Sequence, residues 1–307
     1  MSTWTIKGAT VVITGASSGI GRGTALALAD RGANLVLAAR SDDVLAELAR
    51  SIPNAIAVPT DVTDPEAVGR LAAAALNRFG SLDVWINCAS VGAAGTFTDV
   101  PLDVHRRVIE TGAIGVLNGS HVALRHFEKV GGGRLLNVGS AGGKLPFPFF
   151  SSYAASKFAV VGLGQALLQE LEQRGVTGIA VSTVNPWVTD TPFFENAANY
   201  TGKTLRMPRP DDTGRVVDAI VRTLRKPVPS VDVGPARGAA VLMRLLPGTA
   251  RRSTALVSKS YLDSSPVRVR QTSGNVHEPV AGPHGVDGVM RDRVKKENRN
   301  RRRLSKG

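Results

Sequence analysis

The sequence is poor in cysteine and has no long apolar run. Cys88 is the single cysteine among 307 residues, so an intrachain disulfide framework is excluded. The N-terminus lacks the basic, apolar and small-residue order of a secretory signal, and we expect a reducing, cytoplasmic location. The most apolar stretch, residues 238–247, is interrupted by Arg244 and is shorter than the roughly 18 residues of a membrane span. These absences argue against a small protein stabilised by disulfides and against a transmembrane helix.

Acidic residues are also scarce compared with basic ones. The chain has 25 Asp and Glu against 38 Lys and Arg, a net charge of +13. Residues 251–307 contain 14 basic and 5 acidic residues, which leaves a net charge of +4 for residues 1–250. The sequence therefore predicts a folded domain over 1–250 and a basic tail over 251–307 that is disordered and lacks periodicity. Two interpretations of the tail stay open: a solubilising extension, or a tether to nucleic acid or anionic membrane.

Within residues 1–250, short apolar β-branched runs alternate with alanine- and leucine-rich segments. The sequence predicts strands at 8–14, 34–39, 55–58, 82–87, 134–138, 178–184 and 231–233, and helices at 20–31, 42–51, 65–79, 102–129, 152–172, 211–225 and 236–246. Such alternation is typical of parallel strands joined by right-handed helical crossovers. We therefore expect an α/β domain with a doubly wound sheet of about seven parallel strands and helices on both faces.

A glycine-rich turn joins the first predicted strand to the first helix. Residues 14–21 read Thr-Gly-Ala-Ser-Ser-Gly-Ile-Gly, a G-x-x-x-G-x-G spacing that differs from the general G-x-G-x-x-G fingerprint. Glycines allow a tight turn and close approach of backbone amides to a diphosphate at the helix N-terminus. The candidate cofactor-binding residues of this turn are Gly15, Ser17, Ser18, Gly19 and Ile20. The turn predicts a dinucleotide site, whereas a plain Gly/Ser turn is the alternative.

The residue after the second predicted strand bears on the choice of nucleotide. That strand ends in Arg40, with no carboxylate before Asp42. An acidic residue there would accept hydrogen bonds from an unmodified ribose, whereas a guanidinium can bind a 2′-phosphate. The sequence favours NADP(H) over NAD(H). Alternatively, Arg40 is a solvated charge and Asp42 or Asp43 caps the next helix.

Tyr153 and Lys157 lie four residues apart in a predicted helix and therefore share one face. An ammonium about 4 Å from a phenol contributes on the order of 4 kcal/mol at an effective dielectric of 20, enough to lower the tyrosine pKa by about three. Ser140 follows a predicted strand and would reach the same crevice beyond the carboxyl ends of the strands. Ser140, Tyr153 and Lys157 are the candidate catalytic residues.

At this point the sequence resembles a single-domain short-chain dehydrogenase/reductase with a Rossmann fold, over about residues 5–235. The motifs that carry the resemblance occur in the family's order: the turn at 14–21, Asp61-Val62, Asn87-Cys88-Ala89, Ser140, Tyr153-Ala154-Ala155-Ser156-Lys157 and Asn185-Pro186 with Thr191. The resemblance implies hydride transfer between a nicotinamide and a carbonyl or secondary alcohol substrate. It also implies a homodimer or homotetramer.

The resemblance assigns a role to each matched residue. Tyr153 would be the general acid/base, Ser140 would orient the substrate oxygen, and Lys157 would lower the tyrosine pKa and hold the nicotinamide ribose. The remaining cofactor contacts that it implies are Asp61 and Val62 at the adenine, Asn87 and Ala89 along the cofactor, and Pro186, Val188 and Thr191 near the carboxamide.

Some positions depart from the family pattern. Gly112 stands where the family usually has an asparagine of the proton relay, and Asn118 would face another direction on the helix. Ser90 and Trp187 replace common glycines, and Cys88 replaces a common asparagine. Two interpretations remain: a working triad with a different water path, or a nucleotide-binding sensor or scaffold with weak or no catalysis.

Aromatic residues make up only 5% of the chain, yet they cluster near the expected nicotinamide end. Five of the nine phenylalanines fall between Ser140 and Tyr153 or between Trp187 and Met207; they are Phe147, Phe149, Phe150, Phe193 and Phe194. The clustering predicts a pocket for a bulky apolar substrate, although core or interface packing of some rings is the alternative. The histidines near the central helix lack metal-ligand spacing with Cys88, and no metal site is predicted.

Overall fold

The computed structural model describes residues 4–207, 210–235 and 268–304, together with the single residues 238, 241, 248 and 252. The strands are β1 (Thr10–Thr14), β2 (Asn34–Ala39), β3 (Ala55–Pro59), β4 (Val84–Asn87), β5 (Ala93–Ala94), β6 (Gly133–Val138), β7 (Ile179–Pro186), β8 (Ala198–Asn199) and β9 (Ser230–Val233). The α-helices are α1 (Gly19–Ala29), α2 (Asp42–Ser51), α3 (Pro65–Phe79), α4 (Leu102–Ile109), α5 (Gly115–Val130), α6 (Ser151–Gln173), α7 (Phe193–Asn196), α8 (Thr213–Arg225) and α9 (Met290–Leu304).

Seven parallel strands form the main sheet in the order β3-β2-β1-β4-β6-β7-β9. The order reverses between β1 and β4, which creates a crevice at the carboxyl ends of these neighbouring strands. All residues of β1 and β4 are buried, as expected for central strands that are covered on both faces. The doubly wound α/β fold predicted from the sequence is confirmed. The strands β5 and β8 form a separate parallel pair beside this edge.

Apolar side chains cover both faces of the main sheet. On one face, Leu37 of β2 and Ile220 of α8 belong to a single buried cluster. On the other face, Trp85 of β4 packs in a second cluster with Leu71 of α3 and Phe127 of α5. Because β-strand side chains alternate in direction, neighbouring residues of one strand supply both clusters. The two layers hold the carboxyl ends of the strands, and hence the crevice, in a fixed arrangement.

The long helix predicted over 102–129 is interrupted by one π-helical turn at Glu110–Ile114 between α4 and α5. Gly112 lies in this turn and packs against Ser156 of α6: a Cβ at position 112 would lie 2.7 Å from the Ser156 Oγ. The close approach explains why a glycine, rather than a larger residue, occupies this position. Single π turns inside α-helices often occur at functional sites.

The C-terminal segment over residues 268–304 departs from the expectation of a tail without regular structure. Residues 268–289 pack on the domain, and 290–304 form α9. Val276 and Met290 are fully buried, whereas α9 is strongly polar. Two buried apolar side chains so far apart in the sequence, Val276 and Met290, leave no periodic signal. The helix predicted over 236–246 falls almost entirely outside the described residues. No described helix combines the length and the apolar character that crossing a bilayer requires.

Candidate active site

A single cleft opens at the carboxyl ends of β1, β4, β6 and β7. Its lining includes nearly every candidate residue from the sequence: Gly15, Ser17, Ser18, Gly19, Ile20, Arg40, Asp61, Val62, Ala89, Ser140, Tyr153, Lys157, Pro186, Val188 and Thr191. These residues come from seven separate stretches of the chain, and the sheet order brings them together. The cleft therefore joins the glycine-rich turn to the candidate catalytic residues in one continuous space.

The glycine-rich turn is shaped by the neighbouring loop after β4. Gly15 has φ +69°, and a Cβ at this position would lie 2.7 Å from the Cα of Ala89, so any side chain there would clash with backbone. Ser18 precedes α1, and its side chain forms no capping hydrogen bond to the helix amides. The first-turn amides of α1 have no intrahelical acceptor, and their positive field faces the cleft. This geometry suits a diphosphate.

Arg40 and Asp61 lie at the end of the cleft beyond β2 and β3. Burial alone would raise the pKa of Asp61, but hydrogen bonds from Thr63 and the ion pair with Arg107 outweigh burial and lower it. Asp61 is therefore a carboxylate at neutral pH. Arg40 is partly buried, and its guanidinium donates to the backbone carbonyls of Asn275, Val276 and His277. A C-terminal segment that the sequence did not connect to this site thus contacts the nucleotide end.

The candidate catalytic residues converge on one point of the cleft. Tyr153 and Lys157 share one face of α6, and the Lys157 Nζ lies 5.7 Å from the centre of the Tyr153 ring. Lys157 is 2% exposed and donates to the Val138 carbonyl at 3.0 Å, which fixes its ammonium below the cleft floor. The Ser140 Oγ accepts from the Gly142 amide at 3.0 Å, and the Ser140 side chain lies close enough to Tyr153 to act on the pKa of its phenol. The serine and tyrosine oxygens can therefore bind one substrate oxygen together.

Burial is the main influence on the pKa values of Tyr153 and Lys157. Desolvation raises the pKa of Tyr153 despite the opposing hydrogen bond from Ser140, so the phenol is protonated at neutral pH. Desolvation lowers the pKa of Lys157 to about 8, with Cys88 acting in the opposite direction. Burial is the largest influence on the pKa of Tyr153, and the opposing influence comes from Ser140 instead of from Lys157, the residue that the sequence predicts.

Asn87 is the one candidate whose side chain lies away from the cleft. Its amide donates to Asn137 at 2.8 Å and to Ser120 at 3.1 Å, and its oxygen accepts from Trp85 Nε1 at 2.8 Å. These bonds tie β4 to α5 and to β6, so the side chain supports the wall of the cleft. The role of Asn87 along the cofactor stays a prediction from the resemblance.

Thr111, beside Gly112, is a lining residue that sequence reasoning missed. Its hydroxyl is buried, finds no hydrogen-bond partner among the described residues, and lies in the wall of the cleft. The π turn displaces this part of the helix, which no helical periodicity in the sequence could have shown. Asn118 donates to the Val62 carbonyl at 2.9 Å, in agreement with the expectation that it faces elsewhere. Thr111 is thus the polar side chain that the helix presents next to the catalytic residues.

Aromatic side chains enclose the catalytic end of the cleft. Four of the five phenylalanines expected there line it, namely Phe147, Phe150, Phe193 and Phe194, together with Trp187 and Met207. The ring centres of Tyr153 and Phe193 are 5.3 Å apart, and those of Phe147 and Trp187 are 6.0 Å apart. Phe149 is absent from the lining and adopts φ +68°, while its carbonyl accepts from the Gly95 amide. Phe149 therefore shapes the loop, and the other rings form the wall.

The chain is similar in sequence to known oxidoreductases. The family model for short chain dehydrogenases matches residues 9–201. An uncharacterized oxidoreductase, YxnA of Bacillus subtilis, is 37% identical over 203 residues, which cover 64% of this chain and 57% of that protein. The chain thus spans little more than half the length of that relative. The 3beta-hydroxysteroid dehydrogenase 1 of Eggerthella lenta is 36% identical over 207 residues, covering 66% of this chain and 77% of that protein.

The fold is likewise similar to a solved structure. A short chain dehydrogenase/reductase from Burkholderia phymatum, crystallised in complex with NAD, superposes with a TM-score of 0.70 at 26% identity. The superposition covers 78% of this chain and 94% of that chain. The family match extends over six of the seven strands of the main sheet, the glycine-rich turn and the Ser140–Tyr153–Lys157 group. The chain therefore belongs to the short-chain dehydrogenase/reductase family of oxidoreductases.

Proposed function

We propose that the protein is a nicotinamide-nucleotide-dependent oxidoreductase that interconverts a bulky apolar carbonyl compound and its secondary alcohol, with preference for NADP(H). The observation that carries the proposal is the continuous cleft that connects the glycine-rich turn with Ser140, Tyr153 and Lys157. A hydride donor and its acceptor must meet in one protected space. The related dehydrogenases and the NAD-bound Burkholderia structure support the same conclusion.

The residues of the cleft fit a dinucleotide along its whole length. Gly15 lets the turn pack against Ala89 without a side-chain clash, and the first-turn amides of α1 beyond Gly19, whose own amide donates to Gly285, face the diphosphate position. Asp61 and Val62 lie at the adenosine end, and Val188 and Thr191 lie at the nicotinamide end. Lys157 is placed to donate to ribose hydroxyls near the catalytic residues. The nicotinamide supplies or accepts the hydride.

Tyr153 and Ser140 handle the substrate oxygen. In carbonyl reduction, the protonated Tyr153 phenol donates its proton to the oxygen while the Ser140 hydroxyl holds that oxygen by a hydrogen bond. In alcohol oxidation, the same phenol must first lose its proton. Because the pKa of Tyr153 is raised, we expect reduction to be efficient at neutral pH and oxidation to accelerate as the pH rises. The charge of Lys157 stabilises the phenolate that forms during reduction.

The aromatic wall favours large apolar substrates over small charged ones. The rings around the catalytic end bury an apolar ligand without providing a charged partner. The ring of Phe193 lies directly beside Tyr153, so the substrate carbon skeleton would pack against it. A preference for polycyclic or aryl-alkyl ketones is consistent with this wall.

Arg40 supports the preference for NADP(H). Its guanidinium lies in the cleft wall at the adenosine end, where a 2′-phosphate would be located in a dinucleotide that runs from Asp61 to Tyr153. The three carbonyls of residues 275–277 use three of the five N–H donors of a guanidinium. The remaining two can form charge-assisted bonds to a phosphate.

The proposal is tested by measuring binding and turnover with the full chain. NADPH and NADH binding is followed by nucleotide fluorescence, and oxidation of the bound nucleotide is then followed with a panel of aliphatic, aryl and polycyclic ketones. The Tyr153→Phe variant removes the proton donor but keeps the ring, and we expect kcat to fall by about 10²–10⁴-fold while nucleotide binding is retained. A Tyr200→Phe variant, which removes a phenol outside the cleft lining, is the matched control.

Three results would contradict the proposal. If neither nucleotide binds, the cleft has another function. If nucleotide binds and Tyr153→Phe turns over like the wild type, the chemistry is assigned to the wrong residue. If the nucleotide binds and no carbonyl compound or alcohol is turned over, the protein is a nucleotide-binding sensor or scaffold of the same fold.

A further inference from the structure

We propose that residues 275–290, called the strap below, form a cover that closes over the bound dinucleotide and must lift for the nucleotide to leave. The inference rests on the proposed function, because it assigns the cleft to a dinucleotide. The strap contacts both rims of the cleft, and its inner side forms part of the cleft wall. It comes from the basic C-terminal segment, which lies outside the stretch that the family model matches.

The first rim is the nucleotide side, formed by the loops after β1 and β2. The Arg40 guanidinium donates to the carbonyls of Asn275, Val276 and His277 at 2.5, 3.2 and 2.7 Å. The amide of Gly19, in the glycine-rich turn, donates to the Gly285 carbonyl at 2.9 Å. Both donors belong to residues that line the cleft. The strap is thus attached directly to the nucleotide-binding elements.

The opposite rim is the loop that follows β7. The Asn196 side chain donates to the Pro283 carbonyl at 3.1 Å, and the Asn275 amide donates to the Asn196 carbonyl at 2.8 Å. The Asp190 carboxylate accepts from the amides of Met290 and Arg291 at 3.0 and 3.2 Å, which caps the N-terminus of α9. The strap therefore reaches across the mouth of the cleft from one rim to the other.

Apolar contacts hold each end of the strap. Val276 is fully buried in a cluster with Val91, Val104 and Val108, against which Tyr153 also packs. Met290 is fully buried at the other end. Burying a side chain of this size contributes about 1.5–3 kcal/mol, so two such anchors and the hydrogen bonds hold the strap closed most of the time. They are few enough for the strap to open without unfolding the sheet domain.

The inner side of the strap faces the cleft. Asn275, Pro279, Val280 and His284 share the lining with the glycine-rich turn and with Tyr153. One cleft is lined by Arg40, by the strap and by the aromatic wall, so the strap borders the space that we assign to the dinucleotide. A dinucleotide that extends from Arg40 to Lys157 would pass under the strap. The strap would then slow its escape, as lids do in other enzymes.

Two glycines of the strap provide a matched pair of variants. A Cβ at Gly288 would lie 2.7 Å from the Thr191 carbonyl oxygen and 2.8 Å from its carbon, so Gly288→Ala must push the strap away from the rim. A Cβ at Gly285 would approach nothing closer than 3.4 Å, and its φ is outside the positive range. Gly285→Ala therefore keeps the strap in place and serves as the control. A chain that ends at residue 267 removes the strap and serves as the second variant.

The experiment measures release of NADPH by stopped-flow displacement, with limited trypsin digestion within α9 as an independent measure of strap opening. For Gly288→Ala we expect faster cleavage and at least about tenfold faster release than for the wild type, with weaker binding, because most affinity changes of this kind lie in the dissociation rate. The chain ending at 267 should show the same fast release. Gly285→Ala should release NADPH at the wild-type rate.

The possible outcomes separate this inference from the proposed function. Failure of the wild type to bind NADPH and NADH would refute the proposed function and the strap with it. Binding with equal release rates in the wild type and in the chain ending at 267 would refute the strap alone. Tighter binding with faster association after removal of the strap would also refute it, because the segment would then block the cleft instead of covering it.

Discussion

The sheet domain and the C-terminal strap are held together in different ways. The sheet domain buries two continuous apolar layers, to which every strand of the main sheet contributes. The strap depends on the isolated anchors Val276 and Met290 and on hydrogen bonds to backbone carbonyls and to Asp190. The first arrangement is cooperative, since removing any one layer exposes the other elements. The second can open by itself, which allows a rigid catalytic floor and a movable cover in one chain.

The largest contrast is expected from truncating one buried side chain in each region. Leu37→Ala, in the middle of β2, should lower the free energy of unfolding by about 2–5 kcal/mol through lost burial and a cavity. Met290→Ala removes a comparable buried side chain but should leave the urea midpoint of the sheet domain nearly unchanged, while hydrogen exchange in the strap accelerates. Equal losses of global stability in both variants would show that the strap belongs to the cooperative core.

Arg40 joins the two regions, and its replacement should affect both. Arg40→Gln loses charge-assisted bonds worth about 1.5–3 kcal/mol, so NADPH affinity should fall by about ten- to hundredfold more than NADH affinity, which loses only the effect of the loosened strap. Hydrogen exchange at residues 275–277 should also accelerate, because their carbonyls lose the guanidinium. Arg50→Gln, at an exposed position of α2, is the control. An unchanged NADPH to NADH ratio would refute the 2′-phosphate contact.

The buried ammonium of Lys157 should cost the sheet domain stability. The folded pKa is lowered to about 8 from the ordinary 10.5, so the unfolded chain binds more protons between these values and wild-type stability rises with pH across that window. At pH 7 the free energy of unfolding of Lys157→Met should therefore exceed that of the wild type by on the order of 2 kcal/mol. This difference should shrink as the pH rises from 8 to 10.5. Activity should be lost. Denaturant unfolding of the wild type and of Lys157→Met at pH 7 and at pH 10 measures the difference in the free energy of unfolding at each pH.

Lys129→Met, at an exposed position near the end of α5, is the control for this prediction. It should show no comparable gain in stability, because its ammonium is exposed to solvent and its replacement relieves no burial of charge. A Lys157→Met variant that is less stable than the wild type at pH 7 would contradict the desolvation argument.

The smallest expected effect is confined to the strap. Asp190→Asn keeps one acceptor oxygen but loses the charge that caps α9, at a cost of about 1 kcal/mol. Trypsin cleavage in α9 should accelerate about fivefold, with the urea midpoint of the sheet domain unchanged. Asp292→Asn replaces a nearby carboxylate that is 91% exposed and should have no effect. Equal cleavage rates for these two variants would exclude the cap.

Much of the sheet domain could be predicted from the sequence because its signals are local. The predicted bounds of β2, α2 and α3 agree with the structure at both ends. Strand periodicity, the acidic N-cap Asp64 and the C-terminal Gly80 mark these elements within a few residues of their ends. The convergence of Ser140 with Tyr153 could also be predicted, since parallel strands end at the same edge of a sheet.

Other features had no local signal. The π turn at Glu110–Ile114, which puts Thr111 in the cleft wall, follows from the fit between the central helix and α6. The burial that raises the pKa of Tyr153 depends on residues from the loop after β7 and from the strap. The attachment of the strap to Arg40 depends on backbone carbonyls, which every residue carries and which therefore leave no trace in a sequence.

The sequence by itself determined the parallel α/β sheet, the glycine-rich turn and the grouping of Ser140, Tyr153 and Lys157, because periodicity and spacing within one element specify which side chains share a face. Only the tertiary structure decided that the C-terminal segment crosses the cleft. Its position is fixed by two buried side chains and by contacts between residues more than two hundred positions apart, such as Arg40 and His277. Such contacts arise from the shape of the folded domain, and no pattern within the segment encodes them.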